Sequence, residues 1–318
     1  PMSTESSTIL VGGTVAIDNV KTPGSAIEEN LLGGSASYAA LAASFFSPGT
    51  QLIGIVGKDF PQDHLAMLEA RGVGLSGIEH SPGESFTWSG EYMENMNERV
   101  THKVGLNVLE NWHVNVPDPI ADAPIVVLAN MSPDNQLQML EQSTAANRFV
   151  IADTMDLWIE IANERLHEVM QKINLLVINE SEAREFANTT NLIQAGRILL
   201  RKGPEYVVIK LGEFGAMLFS ANGTDLCDGN DDDSIPCPDT FFRCAAFPLR
   251  GIADPTGAGD TFLGALAGYL AAEAKGDNSF KHIRRAVAYG SVVASFTCEA
   301  FSTRRLEEID RDQIEERL

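Results

Sequence analysis

The chain has 318 residues, 44% hydrophobic and 21% charged, with 44 acidic against 23 basic side chains and a formal net charge of −21. That length allows one large α/β domain or two smaller ones with an ample core, and an acidic excess without a basic block argues against nucleic acid or an anionic membrane as partner. The longest near-apolar run, 262–272, is too short to span a bilayer, the start "PMSTESST" lacks a signal-peptide core, and four cysteines without CxxC spacing read as reduced thiols, so a cytoplasmic setting is expected.

In chain order, "TILVGGTVAI" reads as a buried strand ending at Asp18, followed by a helix over 36–46 behind Gly33-Gly34 and another over 62–71. At 86–104 the texture changes. "FTWSGEY" and "RVTHKV" alternate like strands about a polar "MENMNE" connection, predicting a β-hairpin with Phe86, Trp88 and Tyr92 on one face. Next, "IVVLA" ends at Asn130, "FVIA" at Asp153, "LLVI" at Asn179 and "YVVI" at Lys210, separated by helical periodicity over 134–145, 156–172 and 192–202. The turn-rich, acidic stretch 221–247 reads as an insertion or short meander, and helices are expected over 261–274, 280–296 and 303–318. Such alternation predicts a parallel sheet covered on both faces. Polar residues at the carboxyl ends of the buried runs could converge on one cleft.

Several motifs fail on context. "GVGLSG" at 72–77 follows a helical segment where a dinucleotide fingerprint needs a strand, and no GxxxxGK[ST] loop exists. "GGSAS" at 33–37 approaches the hydrolase elbow with Ser35 as nucleophile, but its last glycine is serine and "AIEENLL" ahead of it is too polar for a clear strand. The histidines show no zinc spacing, and the acidic run at 228–233 lacks the glycine of a calcium loop. "DPTGAGDTFLGALAGYLA" at 254–271 is different. Gly257 and Gly259 leave the backbone bare at a helix N-terminus, where free N–H groups and the helix dipole favour an anion. Asp260 beside that anion site is electrostatically awkward, a poor structural choice and a plausible catalytic one.

That stretch, with "LLGGSASYAALAAS" about 220 residues upstream, "NESE" at 179–182 and "KLGEFG" at 210–215, resembles the PfkB/ribokinase-like family of carbohydrate and nucleoside kinases over nearly the whole chain. The resemblance implies a ribokinase-like three-layer αβα sandwich with a mostly parallel central sheet and a small β lid. It suggests a single domain over 1–318, with lid strands from about 14–24 and 84–106. It implies phosphoryl transfer from ATP, with Mg²⁺, to a hydroxyl of a sugar or sugar-like polyol. A nucleoside acceptor and a non-catalytic binding or regulatory member are the alternatives. Asp260 would be the catalytic base, and Gly257, Ala258 and Gly259 would hold the transferring phosphoryl through N–H groups. Asp18, Gly33, Gly34 and Asn130 would bind substrate.

Asn179 and Glu182 match an NxxE motif that orders Mg²⁺ through water, although a helix cap with a capping-box Glu explains the same letters. Lys210, Gly212 and Gly215 match the nucleotide side, and Asp254 and Thr256 lie where many members bind K⁺. Lid-mediated homodimers occur among relatives. One departure stands out. Tyr38 occupies the position where sugar-kinase relatives often carry a substrate-binding asparagine, and an aromatic there could stack on a sugar face or a base.

Overall fold

Alternating burial of short apolar runs builds the molecule from the inside. A computed structural model describes residues 8–221 and 241–318. Its strands are β1 (Ile9–Gly12), β2 (Ala16–Lys21), β3 (Glu28–Gly33), β4 (Thr50–Val56), β5 (Gly74–His80), β6 (Phe86–Tyr92), β7 (Arg99–Gly105), β8 (Ile125–Leu128), β9 (Phe149–Asp153), β10 (Leu175–Asn179), β11 (Tyr206–Lys210), β12 (Ala216–Ser220) and β13 (Phe241–Cys244). Its helices are α1 (Ser35–Ser44), α2 (Gln62–Ala70), α3 (Pro133–Gln142), α4 (Asp156–Ile161), α5 (Asn163–Met170), α6 (Glu180–Ala187), α7 (Leu192–Leu200), α8 (Ala258–Tyr269), α9 (Phe280–Thr297), α10 (Arg304–Glu308) and α11 (Arg311–Arg317).

Among the described residues, a nine-stranded sheet runs β13-β12-β11-β10-β9-β8-β1-β4-β5 and a four-stranded sheet runs β3-β2-β6-β7. The large sheet is parallel from β5 to β11, with β12 and β13 antiparallel at one edge. Side-chain alternation feeds two cores. Ile9, Val11, Val127, Ile151, Val177 and Val208 pack against α1, α8 and α9. Leu10, Val126, Leu128, Val150, Leu176 and Val207 pack under α3, α5, α6 and α7.

Gly264 and Gly268 of α8 explain how closely two of these helices approach. A Cβ at Gly264 would run into the Ala39 carbonyl, and one at Gly268 would sit 2.8 Å from the Ala43 carbonyl oxygen. The small-residue spacing therefore serves backbone-to-backbone packing of α8 on α1, which brings the N-termini of both helices to the same end of the sheet.

Several expectations need correction. "TILVGGTVAI" is two strands, because the chain leaves the large sheet after Gly12 and enters the small one at Ala16; Asp18 lies within β2, not at the end of a central strand. The half-polar "EENLLG" is a strand after all: β3 alternates toward burial as it approaches α1, so a strand does precede "GGSAS". The small sheet thus also draws on 28–33. The run 156–172 breaks at Ala162, where Asn163 Nδ2 donates back to the Ile159 carbonyl at 3.0 Å. The tail 303–318 breaks at Ile309, and Asp310 restarts it with a capping box to Gln313. β4 and β5 were not anticipated, and α6 only through the helix-cap reading of Asn179 and Glu182. Most of 221–247, with Cys227 and Cys237, lies outside the described residues; within it β13 is a strand. Among the described residues no helix is long and apolar enough to cross a membrane.

Candidate active site

α8 starts without a side-chain cap. Gly257 is its N-cap at φ 77°, a left-handed conformation that glycine adopts without strain. Ala258 N donates to the Pro255 carbonyl at 3.2 Å, and with no side chain capping the helix the Gly259 N–H depends on another acceptor. A Cβ at Gly257 would run into the Tyr38 ring, and one at Gly259 would sit 2.9 Å from Lys210 Nζ. The helix start is therefore a bare cradle beside an ammonium group. Asp260, in the first turn, is walled by protein but open to a cavity of about 1020 Å³. Burial, with Asp153 adding to it, pushes its carboxyl up to about 7 against the opposing Lys210 and Arg99.

Asp18 faces Asp260 across that cavity. It lies over Gly33, where a Cβ would overlap the carboxylate. Only 5% of Asp18 is exposed, yet its Oδ1 has no hydrogen-bond partner. Burial first, then Asp254 and Asp260, push its carboxyl up to about 8. A buried carboxylate with an orphaned acceptor, in the wall of a cavity, suits a ligand hydroxyl. Gly34, at φ 90°, caps α1 where a Cβ would meet the Thr14 backbone.

Asn130 lines the same cavity with its amide held in place: Oδ1 accepts Trp158 Nε1 at 2.9 Å, and Nδ2 donates to Met155 Sδ at 3.1 Å. Ser35 is occupied structurally, its Oγ donating to the Asn130 carbonyl at 3.0 Å, which removes the hydrolase reading. Phe86, Trp88 and Tyr92 all face the cavity from the small sheet, as the hairpin alternation anticipated. Tyr38 lines the same cavity but is only 2% exposed, and its ring packs on Gly257.

On the other side of Asp260, Lys210 Nζ bonds Asp153 Oδ2 at 3.2 Å. Burial works against the lysine's charge, but Asp153, Glu182 and Asp260 together hold it above its ordinary value. Asn179 and Glu182 form a reciprocal capping box at the start of α6, with Oδ1 accepting Glu182 N at 2.9 Å and Oε2 accepting Asn179 N at 3.1 Å. Glu182 is itself buried, and desolvation followed by Asp153 pushes it up to about 7. Gly212 and Gly215 shape the turn after β11 at φ 56° and 94°, and Asn97 from the β6–β7 turn donates to Glu213 there at 3.4 Å. Asp254 is fully buried, accepting Thr256 N at 2.9 Å and Ser302 N at 3.2 Å. Among the described residues no three His, Cys, Asp or Glu side chains gather as a metal cage.

Three residues of this site received no role from the sequence. Asp153 was visible as a strand-terminal carboxylate. Arg99 pairs directly across from Tyr92 in the hairpin, so an inward Tyr92 already implied an inward Arg99. Trp158 carried no signal.

The chain is similar to several known proteins. The cytidine kinase of Thermococcus kodakarensis is 27% identical over 267 residues, covering 82% of this chain and 88% of that enzyme. A Burkholderia thailandensis nucleoside kinase solved with inosine superposes with a TM-score of 0.76 at 18% identity, covering 98% of this chain and 96% of that one. An E. coli candidate ribokinase II solved with ATP and Mg²⁺ gives a TM-score of 0.77 at 18% identity, covering 98% of each chain. The fold is thus ribokinase-like. Residues 18–309 match the model of the pfkB family carbohydrate kinases, and the chain belongs to that family, a kinase acting on a sugar or nucleoside.

Proposed function

We propose that Asp260 is the general base and that the uncapped start of α8 holds the phosphoryl group in flight. The observation that carries this reading is the meeting, in one cavity, of an orphaned buried acceptor (Asp18), a carboxyl pushed up to about 7 (Asp260) and a bare helix N-terminus. Asp18 accepts hydrogens from acceptor hydroxyls and fixes the ring, with Gly33 and Gly34 giving room and Asn130 lining the wall. Asp260 takes the proton from the attacking hydroxyl. The N–H groups of Gly257, Ala258 and Gly259 meet the negative charge that spreads over the phosphoryl oxygens, and Lys210 adds positive charge beside them.

ATP is the donor. Its phosphates suit the bare α8 cradle and Lys210, where a Cβ at Gly259 would intrude, and Gly212 and Gly215 border the nucleotide side. Mg²⁺ suits the carboxylates of Glu182 and Asp153, by water-mediated contact with Glu182; when bound it neutralises polyphosphate charge. Asp254 and Thr256 are the candidates for K⁺, Asp254 offering a fully buried carboxylate. The small sheet closes over the acceptor as a lid of one domain. Exposed Val100 of the small sheet, with Ile27 just ahead of β3, offers a surface for a homodimer. The free thiols of Cys244 and Cys298 support a cytoplasmic setting.

A nucleoside acceptor is the reading we favour within this chemistry. At about 1020 Å³ the cavity lies at the top of the usual ~300–1,000 Å³ range for small-molecule sites and exceeds what one sugar ring fills. Phe86 and Trp88 supply apolar faces for a base. The test is ADP release from Mg-ATP across pentoses, hexoses, polyols and nucleosides, with Asp260→Asn as control. A nucleoside should stimulate turnover, and the variant should lose roughly 10²–10⁴-fold. Stimulation by free sugars alone would refute the nucleoside preference, and full activity in Asp260→Asn would refute the base.

A further inference from the structure

Tyr38 stands where sequence resemblance suggests a substrate-binding amide, yet its surroundings assign it another task. It lies in the first turns of α1, and α1 is locked to α8 by the Gly264–Ala39 and Gly268–Ala43 approaches. Its ring covers Gly257 so closely that no Cβ fits between them. Its hydroxyl lies on the side of Ser302 and Asp254, which burial and Asp254 together make a poor place for a phenolate. Ser302, itself at φ 56°, donates its N–H to Asp254 at 3.2 Å and its Oγ–H to the Leu32 carbonyl at 2.6 Å. Asp254 closes the circuit by accepting Thr256 N at 2.9 Å, one residue before Gly257. Tyr38 therefore touches the anion-binding turn through its ring, and the Ser302–Asp254–Thr256 bonds hold the residues just ahead of that turn.

A glycine visits positive and negative φ with similar ease, so its conformation must be imposed by its neighbours. At Gly257 the neighbour is this ring. With 2% of the residue exposed, Tyr38 offers an incoming sugar or base almost nothing to touch. We infer that Tyr38 is a positioning residue, bracing Gly257 in its left-handed conformation so that the first N–H groups of α8 point at the phosphoryl group, an inference that rests on the proposed role of that turn.

The test compares Tyr38→Phe, which keeps the ring, with Tyr38→Leu, which removes it while leaving the site apolar. Binding is measured for Mg-ADP alone and for Mg-ADP with aluminium fluoride, a mimic of the phosphoryl in flight. Tyr38→Phe is expected to stay within about twofold of the unaltered chain in both. Tyr38→Leu should weaken the fluoride complex by about 30-fold, a fraction of what losing a whole oxyanion donor costs, and leave Mg-ADP alone within about threefold. Gly257→Ala should weaken the fluoride complex similarly, and the double variant should be no worse than either single one, because both act on the same turn. Equal weakening of both ligands, an unchanged fluoride complex in Tyr38→Leu, or additive effects in the double variant would overturn the assignment. If the unaltered chain fails to tighten on aluminium fluoride, the phosphoryl-holding reading falls and the role of Tyr38 with it. Tightening in the unaltered chain without loss in Tyr38→Leu removes the Tyr38 role alone.

Discussion

Acidification is expected to stop this kinase near neutrality, about three pH units above the range where an ordinary aspartate would respond. The Asp260 carboxyl is pushed up from the ordinary 3.8 to about 7, chiefly because burial disfavours its charge. A base works only when unprotonated, so about half the chains are competent at pH 7, roughly one tenth at pH 6 and one hundredth at pH 5. The ratio kcat/KM for the acceptor reports the enzyme before the acceptor binds, and is followed by ADP release at saturating Mg-ATP between pH 5.5 and 9. It should climb about tenfold per unit below 7 and level off above.

Lys210 supplies the internal control, since its ammonium opposes the upward shift of Asp260. Lys210→Met should move the limb alkaline by at least about one unit. Stability should run the other way. The carboxyls of Asp18, Glu182 and Asp260 are all raised by folding. Their favourable contribution is complete below the unfolded values and is lost as pH rises through 7 to 8. For Asp260 the shift from 3.8 to about 7 corresponds to at most about 4 kcal/mol. The thermal midpoint should therefore fall from pH 6 to 9 while activity rises. A flat kcat/KM profile between pH 6 and 8, or a limb unmoved in Lys210→Met, would refute the assignment of Asp260 as the titrating base.

At pH 9, where Asp18 is ionised, Asp18→Asn should raise the acceptor KM about tenfold or more, through loss of charged hydrogen bonds, and raise the thermal midpoint by removing an unpartnered buried charge; an unchanged KM at that pH would take Asp18 out of the acceptor site. Gly259→Ala places a methyl 2.9 Å from Lys210 Nζ in the phosphoryl cradle, and kcat should drop about 100-fold with little change in melting. Asn179→Ala breaks the capping box and should cost about 1 kcal/mol in a denaturant titration. Glu182→Gln should in addition raise the Mg²⁺ concentration needed for half-maximal rate; if it only lowers stability, Glu182 is a cap and nothing more.

The buried strands β8 to β11 and most helices were legible because continuous apolar runs and 3.6-residue periodicity survive in one dimension. The strand missed ahead of α1 shows where that signal fails. β3 begins exposed and ends buried, so its average polarity looks like a loop. The split between β1 and β2 left no mark either, because both halves of "TILVGGTVAI" are buried, in different sheets. The Asn179–Glu182 pair had two readings in the sequence, and the structure forms the cap without removing the carboxylate from the Lys210 neighbourhood.

By itself the sequence determined the chemistry on offer: a glycine-bare helix start, an acid in its first turn, a second acid about 240 residues earlier and an aromatic hairpin. These are local properties of composition and spacing. Tertiary structure alone decided that the two carboxylates share a cavity, that Lys210 stands beside Gly259 among Asp153, Glu182 and Asp260, and that Tyr38 faces a glycine instead of open space. Burial and distance between residues far apart in the chain set those relations, and both are created only when α8 packs on α1 and the small sheet folds over the ends of the large one.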